Sequence, residues 1–130
     1  MNFKFDKHGI SKYTKLLQKR INKVRETEIK LLLTNLYNLS PKITGRLASN
    51  YYCTVNTNNA PYDENKFTPT FNIPNFTIND QVFIVNNTPY INFVNYGTIH
   101  QLPQNFIEHA ITVSNLQLLE YIKEIGNSDF

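Results

Sequence analysis

The sequence predicts an α+β fold with a long N-terminal helix, an antiparallel sheet of three to four strands, a short helix and a C-terminal helix. Apolar residues recur every three to four positions before residue 40 and again after residue 103, and about every two positions in two segments between them. Because the strand segments are grouped between helices rather than alternating with them, we expect an antiparallel sheet. The 130 residues predict a single domain, 1–130.

The first helix is predicted from Ser11 to Leu39. Its apolar positions alternate with lysines at helical spacing and are Leu17, Ile21, Val24, Leu31 or Leu32, and Leu36. Ser11 is suited to an N-cap, and Ser40 is driven out of the helical region because it precedes Pro41. A helix of this length measures roughly 42 Å, so we expect part of it to project beyond the core.

Two segments with a period of about two, Arg46–Asn56 and Asp80–Asn87, are predicted strands rich in β-branched and aromatic residues. The chain between them carries Pro69 and Pro74, which restricts any further strand to a sheet edge. Gly45, just before the first of these strands, is expected to have a positive φ because it turns the chain after the long helix.

The remaining segments predict two helices. The first covers Pro89 to Tyr96 and ends at Gly97, for which a positive φ is also expected. Its side chains Tyr90, Phe93, Val94 and Tyr96 are expected to pack on the sheet near the turn at Thr44–Leu47. The second helix is predicted to begin near Pro103, run to about Ile125 and stop at Gly126.

Composition excludes several classes of function. Cys53 is the single cysteine, so neither an intrachain disulfide nor a zinc site with two or more thiolates can form, and we expect a reducing compartment. No run of about 18 apolar residues is present, so we expect a soluble chain without a membrane span. His8, His100 and His109 have no metal-ligand spacing, and no nucleophile or phosphate-loop motif occurs. We therefore expect no enzymatic activity, no metal and no cofactor.

Charge is distributed unevenly. Residues 1–46 carry eight lysines and three arginines against three acids, a net charge of +8, whereas residues 47–130 have a net charge of −5. The basic half is compatible with nucleic-acid binding, with head-to-tail binding to the acidic half of a neighbouring copy, and with a helix face that is only solvated. The predicted interface residues are the cations Lys19, Arg20 and Lys23 and the acids Glu108, Glu120 and Glu124. Since single exposed pairs contribute little, the apolar stripe at the projecting end of the long helix is expected to supply most of the buried surface.

Two segments carry a more specific signal. The first places Pro41 before Thr44, Gly45, Arg46 and Leu47, and the second contains Pro89, Tyr90, Tyr96, Gly97 and Thr98. Together they resemble the neck, or tail-completion, protein family of long-tailed double-stranded DNA bacteriophages, which joins the head connector to the tail. Phe106, Ile107 and Ala110 match the start of the family's late helix more loosely.

The sequence departs from the family pattern at two positions. Asn95 stands where the family often carries an acid, and Asn105 stands where a proline is usual. If that acid pairs with the arginine of Thr-Gly-Arg in relatives, then Arg46 requires another acceptor here, such as a backbone carbonyl.

The resemblance implies a structural virion protein, made in the host bacterial cytoplasm and located at the head–tail interface. It implies a homo-oligomeric ring, a hexamer around the DNA path, that contacts head-closure or connector proteins on one side and tail-terminator or tail proteins on the other. DNA would pass nearby without sequence-specific binding. The alternative hypothesis is a small nucleic-acid-binding module whose basic N-terminal helix faces phosphates.

Overall fold

The structure is a computed structural model that describes residues 7–42 and 44–126. The elements follow in the order α1 (Lys7–Leu39), α2 (Arg46–Ser49), β1 (Tyr52–Val55), β2 (Val82–Val85), α3 (Ile91–Tyr96) and α4 (Phe106–Gly126). The predicted α+β class is therefore confirmed, with the long first helix, the short helix and the C-terminal helix in the expected order.

The sheet is smaller than predicted. In the described residues it has two antiparallel strands, paired from Tyr52 with Val85 to Val55 with Val82, rather than three or four. The first predicted strand is shortened because its beginning, Arg46–Ser49, forms the one-turn helix α2, closed by a hydrogen bond from Ser49 N–H to Gly45 O (3.0 Å). The proline-containing segment between β1 and β2 adds no further strand, since proline lacks the N–H that a ladder requires.

Three helix boundaries differ from the predictions: the start of α1 and both ends of α4. Helix α1 begins at Lys7, so Ser11 lies inside the helix and is not its N-cap, whereas the predicted end at Leu39 is confirmed. Helix α4 begins at Phe106 rather than near Pro103, because Asn105 has a φ of 50° that a right-handed helix cannot include. Gly126 is the last residue of α4 rather than the position after it.

The core lies where α1 crosses the sheet and meets α4. Helix α1 contributes Ile29, Leu33 and Leu36, strand β1 and the residue before it contribute Cys53 and Tyr51, and α4 contributes Ala110. Ala110 has no exposed surface, and its small side chain lets α4 approach α1 closely. Burial raises the pKa of the Cys53 thiol, which is therefore a packing residue.

Helices α1 and α4 pack antiparallel. Near the middle of α4, Asn35 of α1 donates hydrogen bonds to Ser114 Oγ (2.9 Å) and Gln117 Oε1 (2.8 Å), while Ile125 at the end of α4 lies beside Ile21 and Val24. Helix α1 therefore extends about 14 residues, roughly 20 Å, past the end of α4. The expectation that part of the long helix projects is met by this arrangement.

The irregular segment between the strands is fastened to the helices by polar contacts. Arg25 of α1 donates to the carbonyl oxygens of Thr77 (3.0 Å) and Asp80 (2.8 Å), and its guanidinium lies 4.9 Å from the ring centroid of Phe76. The buried Asn50 exchanges hydrogen bonds with the backbone of Asp63. A long connection without a third strand is thus held against the core. Within the described ranges, no helix is both long and apolar enough to cross a membrane.

Candidate functional site

The two segments that carry the family resemblance meet in space. The turn after α1 and the short helix α3 lie on either side of a shallow pocket of about 100 Å³. Its lining comes from both segments and from the loop before α4: Pro41, Thr44, Gly45, Leu47, Tyr90, Val94, Gln101 and Gln104. The sequence separates these segments by more than forty residues, so only the fold brings the motifs together.

Both motif glycines have the positive φ that the sequence predicts. Gly45 has a φ of 81°, and a Cβ there would lie 2.9 Å from the carbonyl oxygen of Phe67. Gly97 has a φ of 80° and a ψ of 173°, a backbone region that is essentially restricted to glycine. A Cβ at Gly97 would lie 2.8 Å from both Gln101 O and Pro103 N. The chain therefore passes so close to each glycine that no side chain fits.

Asn95 joins α3 to the start of α4. Its side chain is completely buried, and its Nδ2 donates to both carboxylate oxygens of Glu108 at 3.0 Å. Its Oδ1 accepts from the backbone N–H of Ile107 (3.0 Å), and its carbonyl oxygen accepts from the N–H of Asn105 (3.0 Å). An amide can donate and accept hydrogen bonds at once. Asn95 therefore accepts from an N–H at the start of α4 that would otherwise be unpaired, and it also donates to an acid in the same helical turn.

The loop of residues 97–103 projects apolar side chains into solvent. A tight turn is closed by hydrogen bonds between Thr98 and Gln101, from N–H to O in both directions (2.9 and 3.3 Å). Ile99 is 97% exposed and Leu102 is 85% exposed. The base of the loop is fixed by Gly97 and by the hydrogen bond from Gln104 N–H to Val94 O (3.2 Å). The 97–103 loop is therefore a braced turn that displays two large aliphatic side chains.

The prediction that Tyr90, Phe93, Val94 and Tyr96 pack α3 on the sheet is wrong for Phe93 and Tyr96. For Tyr90 and Val94, what the structure shows is the expected proximity to the Thr44–Leu47 turn. Phe93 is 59% exposed and Tyr96 is 61% exposed, whereas Val94 and Tyr90 line the pocket beside the Thr44–Leu47 turn. The buried side of α3 is the side that carries Asn95, because the Asn95 side chain is hydrogen-bonded to α4. Phe93 lies on the exposed side of the same helix. Phe93 and Tyr96 thus add aromatic surface close in sequence to the exposed loop.

Arg46 contacts an aromatic ring instead of a backbone carbonyl. Its guanidinium carbon lies 5.6 Å from the ring centroid of Phe67, and its buried Nε has no hydrogen-bond partner among the described residues. Among the described residues, no carbonyl oxygen accepts a hydrogen bond from Nε of Arg46. Nearby, burial raises the pKa of Tyr90, with a further contribution from Tyr62 and an opposing one from Arg46.

Two further surfaces expose apolar side chains. On the outer side of α4 these are Ile111, Leu116, Leu119 and Ile122. At the projecting end of α1, Leu16 and Leu17 are each more than 40% exposed. Leu17 continues the side of α1 that packs on α4 at Val24 and Ile21, beyond the point where α4 ends. The predicted apolar surface at this end of the helix is present, but it exposes less per residue than the 97–103 loop.

Five of the six predicted charged interface residues lie in the same half of the molecule, because the last turns of α4 pack beside residues 21–24 of α1. Lys19 and Lys23 are exposed and Arg20 is partly exposed on the projecting half of α1. Glu120 and Glu124 are exposed in the last turns of α4, and Glu108 lies in its first turn, where it accepts the hydrogen bonds from Asn95.

The residues that sequence analysis missed are Ile99 and Leu102. A signal was present: both lie between Gly97 and Pro103, in a segment too short for a helix or strand that could bury them. The described part of the chain contains no group of three or more His, Cys, Asp or Glu side chains that could hold a metal ion. Comparisons with protein-family models, with curated proteins and with solved structures find no match to this chain.

Proposed function

We propose that this chain is a structural subunit of the head–tail interface of a long-tailed double-stranded DNA bacteriophage, where it assembles into a ring around the DNA path. The family resemblance of the two motif segments supports the phage assignment. The observation that carries the proposal of assembly is the near-complete exposure of Ile99 and Leu102 on a braced loop. Such a loop gains stability only when a partner covers it.

Apolar burial is the main source of the assembly free energy. Covering a fully exposed Ile or Leu contributes about 1.5 to 3 kcal/mol for each side chain. A solvent-exposed ion pair contributes about 0 to 1 kcal/mol and weakens further in salt. The net charge of +8 in residues 1–46 and of −5 in residues 47–130 therefore sets orientation, while aliphatic and aromatic side chains supply the affinity.

The test is analytical ultracentrifugation of the purified full chain over a concentration series, at low and at high salt, with imaging of assembled particles labelled for this protein. We expect association that increases with concentration and weakens only modestly in salt, and labelling at the neck of virions. A strict monomer that is also missing from the neck would overturn the proposal. Complete dissociation at moderate salt would show instead that charge supplies most of the affinity.

A second candidate function is nucleic-acid binding, and one observation favours it. Four lysines of α1 lie at spacings of three or four residues, which places them on one exposed helix face: Lys12, Lys15, Lys19 and Lys23. This row ends at Glu26, which pairs with Lys30 at 2.8 Å. Four cations in a row can contact a phosphate backbone without reading sequence.

Binding to generic duplex DNA at several salt concentrations distinguishes the two functions. For a nucleic-acid-binding module, the logarithm of the affinity falls with the logarithm of salt concentration with a slope near −0.9 for each phosphate contacted. Replacing Lys12 and Lys15 by Gln would then reduce that slope by about 2. A structural ring subunit instead binds duplex DNA weakly, and these two substitutions leave its self-association unchanged.

A further inference from the structure

The outer edge of β2 carries backbone groups without a partner. Strand β2 pairs with β1 on one side only, and the hydrogen bond from Asn56 N–H to Gln81 O (2.7 Å) shows which pairs of the ladder are hydrogen-bonded. Because hydrogen-bonded pairs alternate along an antiparallel ladder, the N–H and C=O groups of Val82 and Ile84 point away from β1. Among the described residues, no backbone hydrogen bond from outside the ladder reaches these groups. They are therefore free to pair with a further strand.

A groove lies beside this edge, with α1 as its floor. It has a volume of about 300 Å³ and is lined by two residues of β2 and four of α1: Val82, Ile84, Arg25, Glu28, Ile29 and Leu32. At about 100° per residue, Leu32 lies midway between Ile29, which packs in the core, and Asn35, which binds α4. The groove therefore lies between the sheet and α4, on the side of β2 that faces away from β1.

The edge and the groove together select an extended segment with large apolar side chains. Free backbone groups at a sheet edge pair with the backbone of an extended chain, and adjacent pockets accept its alternate side chains. An apolar cavity of about 150 Å³ holds one benzene molecule, so a groove of about 300 Å³ has room for about two phenyl rings. The matching occupant is a strand with two aromatic side chains two positions apart.

Residues 1–6 have this pattern. Apolar and polar residues alternate strictly from Met1 to Asp6, which is typical of a strand with one buried face. Since successive side chains of a strand point to opposite faces, Phe3 and Phe5 share one face, and Asn2 and Lys4 share the other.

This segment cannot reach the groove of its own chain. It precedes α1, which begins at Lys7 on the projecting end of the helix. Arg25, at the near end of the groove, lies roughly 27 Å from Lys7 along α1. Six fully extended residues span roughly 20 Å. Residues 1–6 can therefore pair only with the β2 edge of another copy.

We propose that residues 1–6 of one copy add a third strand to the β2 edge of a neighbouring copy and insert Phe3 and Phe5 into its groove. This inference deepens the proposed function and rests on it, since it names a contact that joins neighbouring subunits. The donor segment and the acceptor edge differ, so the contact is heterologous, and its repetition produces a ring when the rotation between copies closes. The projecting part of α1 carries the donor segment away from the core of its own chain and toward the neighbour.

The test follows amide hydrogen exchange of the full chain by NMR, with sedimentation to measure self-association. The donor variant carries Phe3→Ser and Phe5→Ser. The matched control carries Asn2→Ser and Lys4→Ser, which change the opposite face of the same segment. Circular dichroism verifies that both variants fold as the wild type does. The amides of Phe83 and Val85 donate within the ladder to β1, so they serve as internal controls that exchange slowly in all three proteins.

The amides of Val82 and Ile84 report the contact directly. In the associated wild type we expect them to exchange at least about 10-fold more slowly than in the donor variant at the same concentration. The control variant should keep this protection. The donor variant should also associate at least about 100-fold more weakly than wild type, because two buried phenyl rings are lost from the interface.

Two results would overturn this contact while leaving ring assembly intact. One is equal exchange of Val82 and Ile84 in associated wild type and in the donor variant. The other is an equal loss of protection in the donor and control variants, since the effect would then not follow the alternation of the segment. A wild-type chain that is monomeric and missing from virion necks would overturn both this contact and the proposed function.

Discussion

The side-chain nitrogen of Asn95 lies 3.0 Å from each carboxylate oxygen of Glu108, in a position where Asn95 has no exposed surface. The resemblance places an acid at this position in the phage neck family. In this chain an acid at position 95 would face the Glu108 carboxylate directly and repel it. The Asn95 amide instead donates hydrogen bonds to that carboxylate.

Asn95→Asp should destabilise the chain by about 2 to 4 kcal/mol, because it places a carboxylate at a buried position against that of Glu108 and removes two donated hydrogen bonds. The loss should shrink as pH falls, since protonation of one carboxyl removes the repulsion. Urea denaturation at pH 5 and pH 7.5 measures both effects. Adding Glu108→Gln to this variant should restore much of the stability, because the Gln amide can donate to the introduced carboxylate in place of the original bond. Equal stabilities for the single and double variants would contradict this account.

Asn105→Pro should destabilise the chain by about 3 kcal/mol or more, although the resemblance favours proline there. Proline cannot adopt the φ of 50° that Asn105 has, and it lacks the N–H that donates to Asn95 O at 3.0 Å. Asn105→Gly keeps both features and is the matched control, with an expected change within about 1 kcal/mol. Thermal unfolding followed by circular dichroism distinguishes them. Equal melting temperatures for the two variants would be the contrary result.

Gly97→Ala should reduce both stability and self-association. The added Cβ would meet two backbone atoms at 2.8 Å, and the backbone region it occupies costs about 1 to 3 kcal/mol for a residue other than glycine. Relief of this clash requires the 97–103 loop to move, which displaces Ile99 and Leu102. Gly45→Ala is the comparison: it should destabilise through its 2.9 Å contact with Phe67 O but leave self-association of the folded protein unchanged. Sedimentation and thermal unfolding of both variants test the difference.

Stability should fall as pH rises from 10 to 12 because of Tyr51. Burial raises the pKa of Tyr51 from 10.0 to about 12, against smaller opposing effects of hydrogen bonds with Ser40 and Asn86. The stabilisation is complete below pH 10, where Tyr51 is neutral in both states. Above pH 10 the unfolded chain loses the proton first, so about 2 to 3 kcal/mol is lost by pH 12. Urea titrations of wild type and Tyr51→Phe, which cannot ionise, isolate this contribution; parallel pH profiles would refute it.

Phe93→Ala should change the free energy of unfolding by less than about 0.5 kcal/mol, because more than half of the side chain is exposed. Phe106→Ala, at a 3% exposed position, should cost about 3 to 5 kcal/mol and serves as the contrast. Thermal melts of the two variants provide the measurement. A large loss for Phe93→Ala would mean that the aromatic ring is covered in the folded chain.

Local sequence patterns were sufficient for features that depend on neighbours along the chain. Helical periodicity identified α1, α3 and α4, and Pro41 marked the end of α1. Gly45 and Gly97 were identified as positive-φ residues because each ends or begins an element where glycine is favoured. The strand count failed for a non-local reason: whether an extended segment joins a sheet depends on a partner edge, and the segment between β1 and β2 is held by Arg25 and Asn50 instead.

Only the tertiary structure decided which side chains are left exposed. The position of Ile99 and Leu102 between Gly97 and Pro103 indicates a turn, but only the fold shows that nothing in the described chain covers their side chains. The same is true of the asparagines: nineteen occur in the chain, and composition does not separate Asn50, Asn86 and Asn95, which bind loop or helix backbones, from those on the surface. The exposure of a side chain and its hydrogen-bond partners depend on residues that are distant in sequence. Packing brings these residues together, and the local pattern of apolar residues does not indicate which segments will meet.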